Sequence, residues 1–167
     1  MSQAFVAVLM GSDSDLPIME ATFSVLRQLD IPFEARITSA HRTPAITHEY
    51  VLDADERGCA VFIAAAGMAA HLAGAVAANT LKPVIGVPIN GSLEGLDALL
   101  STVQMPGGIP VACVAIGKAG AKNAAWLAGQ IMAGQDAALA QRLRDARAAD
   151  AQAVQAKDAV LQETLKS

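Results

Sequence analysis

Short unbroken apolar runs alternate along this chain with segments whose apolar residues recur at helical spacing. Residues 4–10 (AFVAVLM) form the first run, ended by Gly11. A strand in the middle of a parallel sheet is buried on both faces, so it reads as a continuous run rather than an alternation. Residues 16–29 follow with Ile18, Met19, Thr22, Val25, Leu26 and Leu29 on one helical face. Pro17 suits the first turn, where its missing N–H is not needed. After Pro32, residues 33–37 read as a second strand. Thr43 and Pro44 read as the N-cap and first residue of a helix reaching about Arg57, and Gly58 ends it. Residues 59–64 are a third buried strand, followed by a turn at Gly67 and a helix over residues 70–79. Residues 84–87, between Pro83 and Pro88, are a fourth strand. Residues 98–105 form a short helix, residues 111–116 a fifth strand and residues 122–133 a helix.

Strand then helix, five times over at regular spacing, predicts a parallel sheet with helices on both faces. The segment after Gly134 breaks this rhythm. Residues 135–165 are polar and Ala-rich, with Leu139, Leu143, Val154, Leu161 and Leu165 as a thin apolar stripe. Such a helix is long for a globular domain. It is expected to pack on another subunit, the alternative being a frayed surface helix. The organisation expected is one domain, with residues 1–134 as its α/β body and residues 135–167 as the appended helix.

Composition narrows the classes. At 167 residues and 53% hydrophobic, the chain has material for a sizeable core and is not disordered. Ala accounts for 36 residues, so the core must rely on close backbone approach or on neighbouring subunits. The net charge of −4 and the lack of a basic run argue against nucleic acid. Met1-Ser2-Gln3 lacks the positive start of a signal peptide. Residues 59–81 carry no Asp, Glu, Lys or Arg over 23 positions, long enough on paper to span a bilayer. Gly67, His71, Gly74, Asn79 and Thr80 within them fit a strand, a turn and a buried helix better. Cys59 and Cys113 lie in apolar runs and read as small buried hydrophobes. No His, Cys, Asp and Glu set has metal-ligand spacing.

In an open parallel sheet, ligands bind beyond the carboxyl ends of the strands. After the first strand stands Gly11-Ser12-Asp13-Ser14-Asp15. Ser12 and Ser14 offer hydroxyls at a helix N-terminus, where free N–H groups attract phosphate, and Asp15 suits sugar hydroxyls. Equally, Ser12-x-x-Asp15 has the form of a capping box. After the second strand stands Ser39-Ala40-His41-Arg42. Arg42 can grip a phosphate in a bidentate fork, Ser39 can add a hydroxyl, and His41 is a general acid/base. After the third strand, Gly67, Ala70, His71 and Leu72 belong to a small-residue loop suited to close approach of a flat ligand. His71 reads equally as a structural residue, and His48 as a surface one. Loops at residues 90–95 and 105–108 look like covers. Neither a P-loop nor a dinucleotide fingerprint is present.

The motifs above, with Gln104-Met105-Pro106-Gly107-Gly108-Ile109-Pro110-Val111 and Ala115-Ile116-Gly117-Lys118-Ala119-Gly120-Ala121, occur in an order that strongly resembles the PurE family. That family comprises 5-(carboxyamino)imidazole ribonucleotide mutases of bacterial purine biosynthesis, and the resemblance runs from about residue 4 to residue 133. It implies a flavodoxin-like three-layer α/β/α sandwich with five parallel strands, a long C-terminal helix reaching a neighbouring subunit, and a homo-octamer. It implies a cytoplasmic enzyme without metal, nucleotide cofactor or biotin, whose partner is a small ribonucleotide bearing a carbamate on its exocyclic nitrogen. Its binding residues carry over as Ser12, Asp15 and Arg42, and its histidine as His41. This chain departs from the family form at Ala65, Met68 and Ala73, which stand for two glycines and a proline. The surviving His71 and its neighbours favour the mutase over the related carboxylase that uses free CO2. A non-enzymatic nucleotide-binding domain of the same fold is the competing class.

Overall fold

The apolar runs become strands and the periodic segments helices. A computed structural model describes residues 4–166. Residues 1–3, on which the signal-peptide reading rests, lie outside the described residues, as does Ser167. In chain order the elements are β1 (Phe5–Met10), a single 3-10 turn (Asp13–Asp15), α1 (Leu16–Gln28), β2 (Phe33–Ile37), α2 (Pro44–Glu56), β3 (Cys59–Gly67), α3 (Leu72–Ala77), β4 (Val84–Ile89), α4 (Leu96–Val103), β5 (Ala112–Cys113), α5 (Lys118–Met132) and α6 (Ala137–Thr164). Every strand pair is parallel and the order across the sheet is β2-β1-β3-β4-β5.

Alternation along the buried strands divides the core in two. Val6, Val8 and Met10 of β1 face α1 and α5, while Phe5, Ala7 and Leu9 face α2 and α3. This is the α/β/α sandwich that the sequence predicts. Small residues set how closely the layers approach. Gly86 in β4 stands where Thr102 of α4, Val111 and Ala73 fill the space a Cβ would need. Gly120 in α5 lies directly against the carbonyl of Ala115, which leaves no room for any side chain.

The element ends differ from expectation in instructive ways. β3 runs three residues past Ala64, to Gly67, and β4 runs through Pro88 to Ile89. Pro88 is tolerated because β5 pairs only with Ile85 and Gly86, so the ladder on that side has ended before Pro88 would owe an N–H. Its carbonyl instead accepts from Gly117 N at 2.8 Å. β5 is two residues long, not six. α5 begins four residues early, at Lys118, because Gly117 (φ +75°) turns the chain straight from the sheet into the helix. Cys59 is buried and its thiol pushed up to about 11 by that burial; Cys113 is only half-buried, and both are free thiols.

α6 has two parts. Leu139 and Leu143 enter the main core, and Arg142 Nε donates to the carbonyl of Leu29 at 2.7 Å. Beyond Leu143 no described residue of the helix is buried, and Val154, Leu161 and Leu165 are more than half exposed. The stripe read as continuous is therefore half core and half open surface. Among the described residues no helix is long and apolar enough to cross a membrane. The uncharged stretch of residues 59–81 resolves into β3, a turn and α3.

Candidate active site

From β1 the chain passes to β2 on one side, and β3 lies on the other side of β1. The loops leaving β1 and β3 therefore diverge, which opens a crevice at the carboxyl ends of the strands. A cleft of about 580 Å³ occupies that point. It is walled by the loops after β1, β2, β3 and β4, with Ile18, Leu72 and Ile89 among its apolar side chains.

The loop after β1 is tied down at both ends. Gly11 N donates to Ala65 O at 3.0 Å. Ser14 N donates to Ser12 Oγ at 3.2 Å, and Ser12 N donates to Asp15 Oδ2 at 3.1 Å, completing a capping box. The capping-box reading of Ser12-x-x-Asp15 is realised, and Ser12, Ser14 and Asp15 also line the cleft. Asp15 is only 6% exposed. Burial raises its carboxyl above the ordinary carboxylate range, against the lowering effect of hydrogen bonds from the Ser12 and Gly11 backbone.

The loop after β2 carries Ser39, His41 and Arg42, all at the cleft. Ser39 Oγ accepts from His41 N at 3.3 Å and from Arg42 N at 3.1 Å. Beneath it lies a hydroxyl cluster that the sequence reading missed. Thr38 and Thr47, both buried, meet at 2.6 Å through their Oγ1 atoms, and Thr43 Oγ1 accepts from Ser39 N at 2.9 Å. Thr43 is the N-cap of α2 by position, yet its hydroxyl braces this loop rather than capping the helix. The signal was present as Thr38, Thr43 and Thr47 around the predicted helix start.

The loop after β3 brings His71 to the same place. His41 Nε2 and His71 Nδ1 are 2.7 Å apart and the rings meet edge to face. One nitrogen must donate and the other accept, so the contact holds a single proton between two imidazoles. The imidazoles pair with each other and not with a serine or cysteine nucleophile. Gly67, Met68 and Leu72 line the cleft beside them. Ala70, expected at the wall, is buried behind it at 2% exposure. Asn90 and Gly91 after β4 complete the lining, as the covering-loop reading of residues 90–95 anticipates. The second expected cover, residues 105–108, is not part of the lining: Met105 packs beside Gly74 of α3. His48 is exposed, with Nδ1 2.7 Å from Asn79 Oδ1, away from the cleft.

Chemically, the cleft offers a guanidinium, the hydroxyls of a capped helical turn, a buried carboxyl, a hydrogen-bonded imidazole pair, and apolar walls. That set suits a small anionic ligand whose flat part needs protons moved. Among the described residues no group of three or more His, Cys, Asp and Glu could hold a metal ion.

Comparison with known proteins agrees with this assembly of parts. A family model described as AIR carboxylase matches residues 5–153. The N5-carboxyaminoimidazole ribonucleotide mutase of Bacillus subtilis is 51% identical over 146 residues, covering 87% of this chain and 90% of that protein. The Mycobacterium leprae protein of the same name is 51% identical over 161 residues, covering 96% and 93%. The crystal structure of Treponema denticola PurE superposes with a TM-score of 0.86 at 30% identity, over 95% of this chain and 99% of that one. Matched over nearly its whole length in sequence and in fold, the chain belongs to the AIR carboxylase (PurE) family and is an enzyme of the isomerase kind for which its curated relatives are named.

Proposed function

We propose that the chain moves the carboxyl group of 5-(carboxyamino)imidazole ribonucleotide from the exocyclic nitrogen to ring carbon C4, within de novo purine biosynthesis. The observation that carries this reading is the His41–His71 pair at 2.7 Å, set in a cleft with Arg42 and the Ser12–Asp15 turn. Arg42, Ser12, Ser14 and Ser39 bind the phosphate, and Asp15 binds the ribose. Gly67, Leu72 and the main chain around Ala70 form the wall for the base.

The chemistry needs one proton moved twice. In the first half, the N–C bond of the carbamate breaks, CO2 leaves, and His41 gives a proton to the amine nitrogen. In the second, electron-rich C4 attacks the retained CO2, and His41 takes the proton that C4 then loses. His71 positions His41 and fixes which ring nitrogen carries the proton. Holding CO2 beside C4 replaces a bimolecular encounter with an intramolecular one.

A homo-octamer is part of the same proposal. It gives the exposed half of α6 a neighbour to pack on. A second reading, carboxylation by free CO2, draws on the description of the matching family as AIR carboxylase. The test is to mix the purified protein with the carbamate ribonucleotide. The C4-carboxylated product should form with the wild type, and at least about a hundredfold more slowly with His41→Asn. No product from the wild type would refute the reading.

A further inference from the structure

Among the described residues, four that are not glycine adopt the left-handed backbone: Asp30, Met68, Leu93 and Glu94. Asp30 lies in the turn after α1, and Asp is a residue type that tolerates this conformation. The other three lie in the loops after β3 and β4, the loops that rim the cleft. Left-handed backbone at a bulky residue is strained, and such strain persists where surrounding structure or function requires it. Met68 is the case that touches the cleft. Its φ is +55°, it is 62% exposed, and it lines the site between Gly67 and Ala69. The free chain thus carries two costs at one residue, a strained backbone and a long apolar side chain left in water. The second cost is relieved if something apolar fills the cleft against it, while the first persists because the loop holds the side chain there. Leu72, Ile89 and Ile18 line the same cleft, so an apolar group entering it meets aliphatic surface besides Met68. An unbranched, polarizable thioether chain adapts to a ligand that changes shape during reaction.

We infer that Met68 closes the cleft over the reacting base and holds the released CO2 against C4, and so decides how often decarboxylation ends in recarboxylation. This rests on the mutase reading above. Between the two half-reactions the intermediate is a free amine and a molecule of CO2. If CO2 escapes, the product is the decarboxylated aminoimidazole ribonucleotide. If it stays, C4 takes it and loses a proton. Met68 is apolar and carries no proton, so its effect falls on that division and not on the proton transfers.

The test is a single-turnover experiment with enzyme in excess over the carbamate ribonucleotide, measuring the ratio of C4-carboxylated to decarboxylated nucleotide. Met68→Gly relieves the strained backbone, so its Tm should equal or exceed that of the wild type, by up to about 2–4 °C. Its share of decarboxylated nucleotide should nevertheless rise at least threefold. Met68→Leu, which restores apolar bulk, should recover most of the wild-type ratio. An unchanged ratio in Met68→Gly overturns the inference while leaving the mutase reading intact. A smaller assembly by light scattering in Met68→Gly also overturns it, by making Met68 an interface residue. No C4 product from the wild type overturns the mutase reading and this inference with it.

Discussion

The rim of the cleft and the outer half of α6 are held in place by different means. At the rim, Ser39, Thr43 and Thr47 brace the His41 loop, Gly11 is bonded to β3, and a capping box fixes Ser12 against Asp15. Every one of these contacts lies within one chain. Beyond Leu143, α6 has none of this: no residue is buried, and Val154, Leu161 and Leu165 face outward. A helix this long gains little from propensity alone and ordinarily rests on a packed face. The active-site loops are thus braced by side-chain and backbone bonds, whereas the outer helix is left with an open apolar stripe, which the proposed homo-octamer would cover.

That contrast can be broken from either side. The largest effect is expected at His41. His41→Asn should lower turnover by about a hundredfold or more, the usual scale for losing a general acid/base, while nucleotide binding persists. Turnover near wild type would remove His41 from the mechanism. Next comes Arg42→Ala, which should weaken nucleotide binding by about 10- to 100-fold, as for loss of a charged hydrogen-bond partner. The dephosphorylated nucleoside should bind the variant and the wild type alike. Equal loss for nucleotide and nucleoside would show that Arg42 does not read the phosphate.

Truncation after Asp145 sharpens the other side. It spares Leu139, Arg142 and Leu143, which dock α6 on its own body, and removes only the outward-facing half. Light scattering should show smaller assemblies, with the far-ultraviolet spectrum of the α/β body retained. A full-size assembly would mean that the outer helix is not what joins subunits.

The smallest effect concerns acid stability, away from both regions. Hydrogen bonds from Arg57 hold the Glu34 carboxyl below its ordinary range, with Tyr50 adding to them, although partial burial opposes this. A carboxyl with a folded pKa below its unfolded one contributes stability above the ordinary carboxylate range. That contribution is lost as pH falls through the folded value. The pair is more than a third exposed on the Arg57 side, so it is worth only about 0.2–1 kcal/mol. Glu34→Gln should lower Tm slightly at neutral pH and leave it unchanged in strong acid. An equal loss at both pH values would point to packing rather than charge.

Much of this was legible in the sequence because burial on two faces writes itself as unbroken apolar runs. Residues 4–10 and 84–87 are read as strands for that reason, and the motifs after them mark the strand ends. What was not legible depends on strand order and on backbone angles. His41 and His71 are 30 residues apart. They meet only because β2 and β3 flank β1 on either side, which brings the loops after them together over its end. The left-handed backbone of Met68 has no periodic signature at all. In α6, Leu139 and Leu143 look the same in sequence as Leu161 and Leu165, since helical spacing reports a face and not the partner of that face. The early start of α5 escaped notice because Gly117 and Gly120 read as loop residues, when one makes a turn and the other a close approach.

The central claim is that the carboxyl group moves within one cleft. The most direct measurement uses carbamate ribonucleotide labelled with carbon-13 in its carboxyl group, in excess unlabelled bicarbonate. The account predicts that the C4 carboxyl of the product retains the label and that the rate does not depend on bicarbonate. Product carrying the unlabelled carbon of the pool, formed at a rate that rises with bicarbonate, would contradict it.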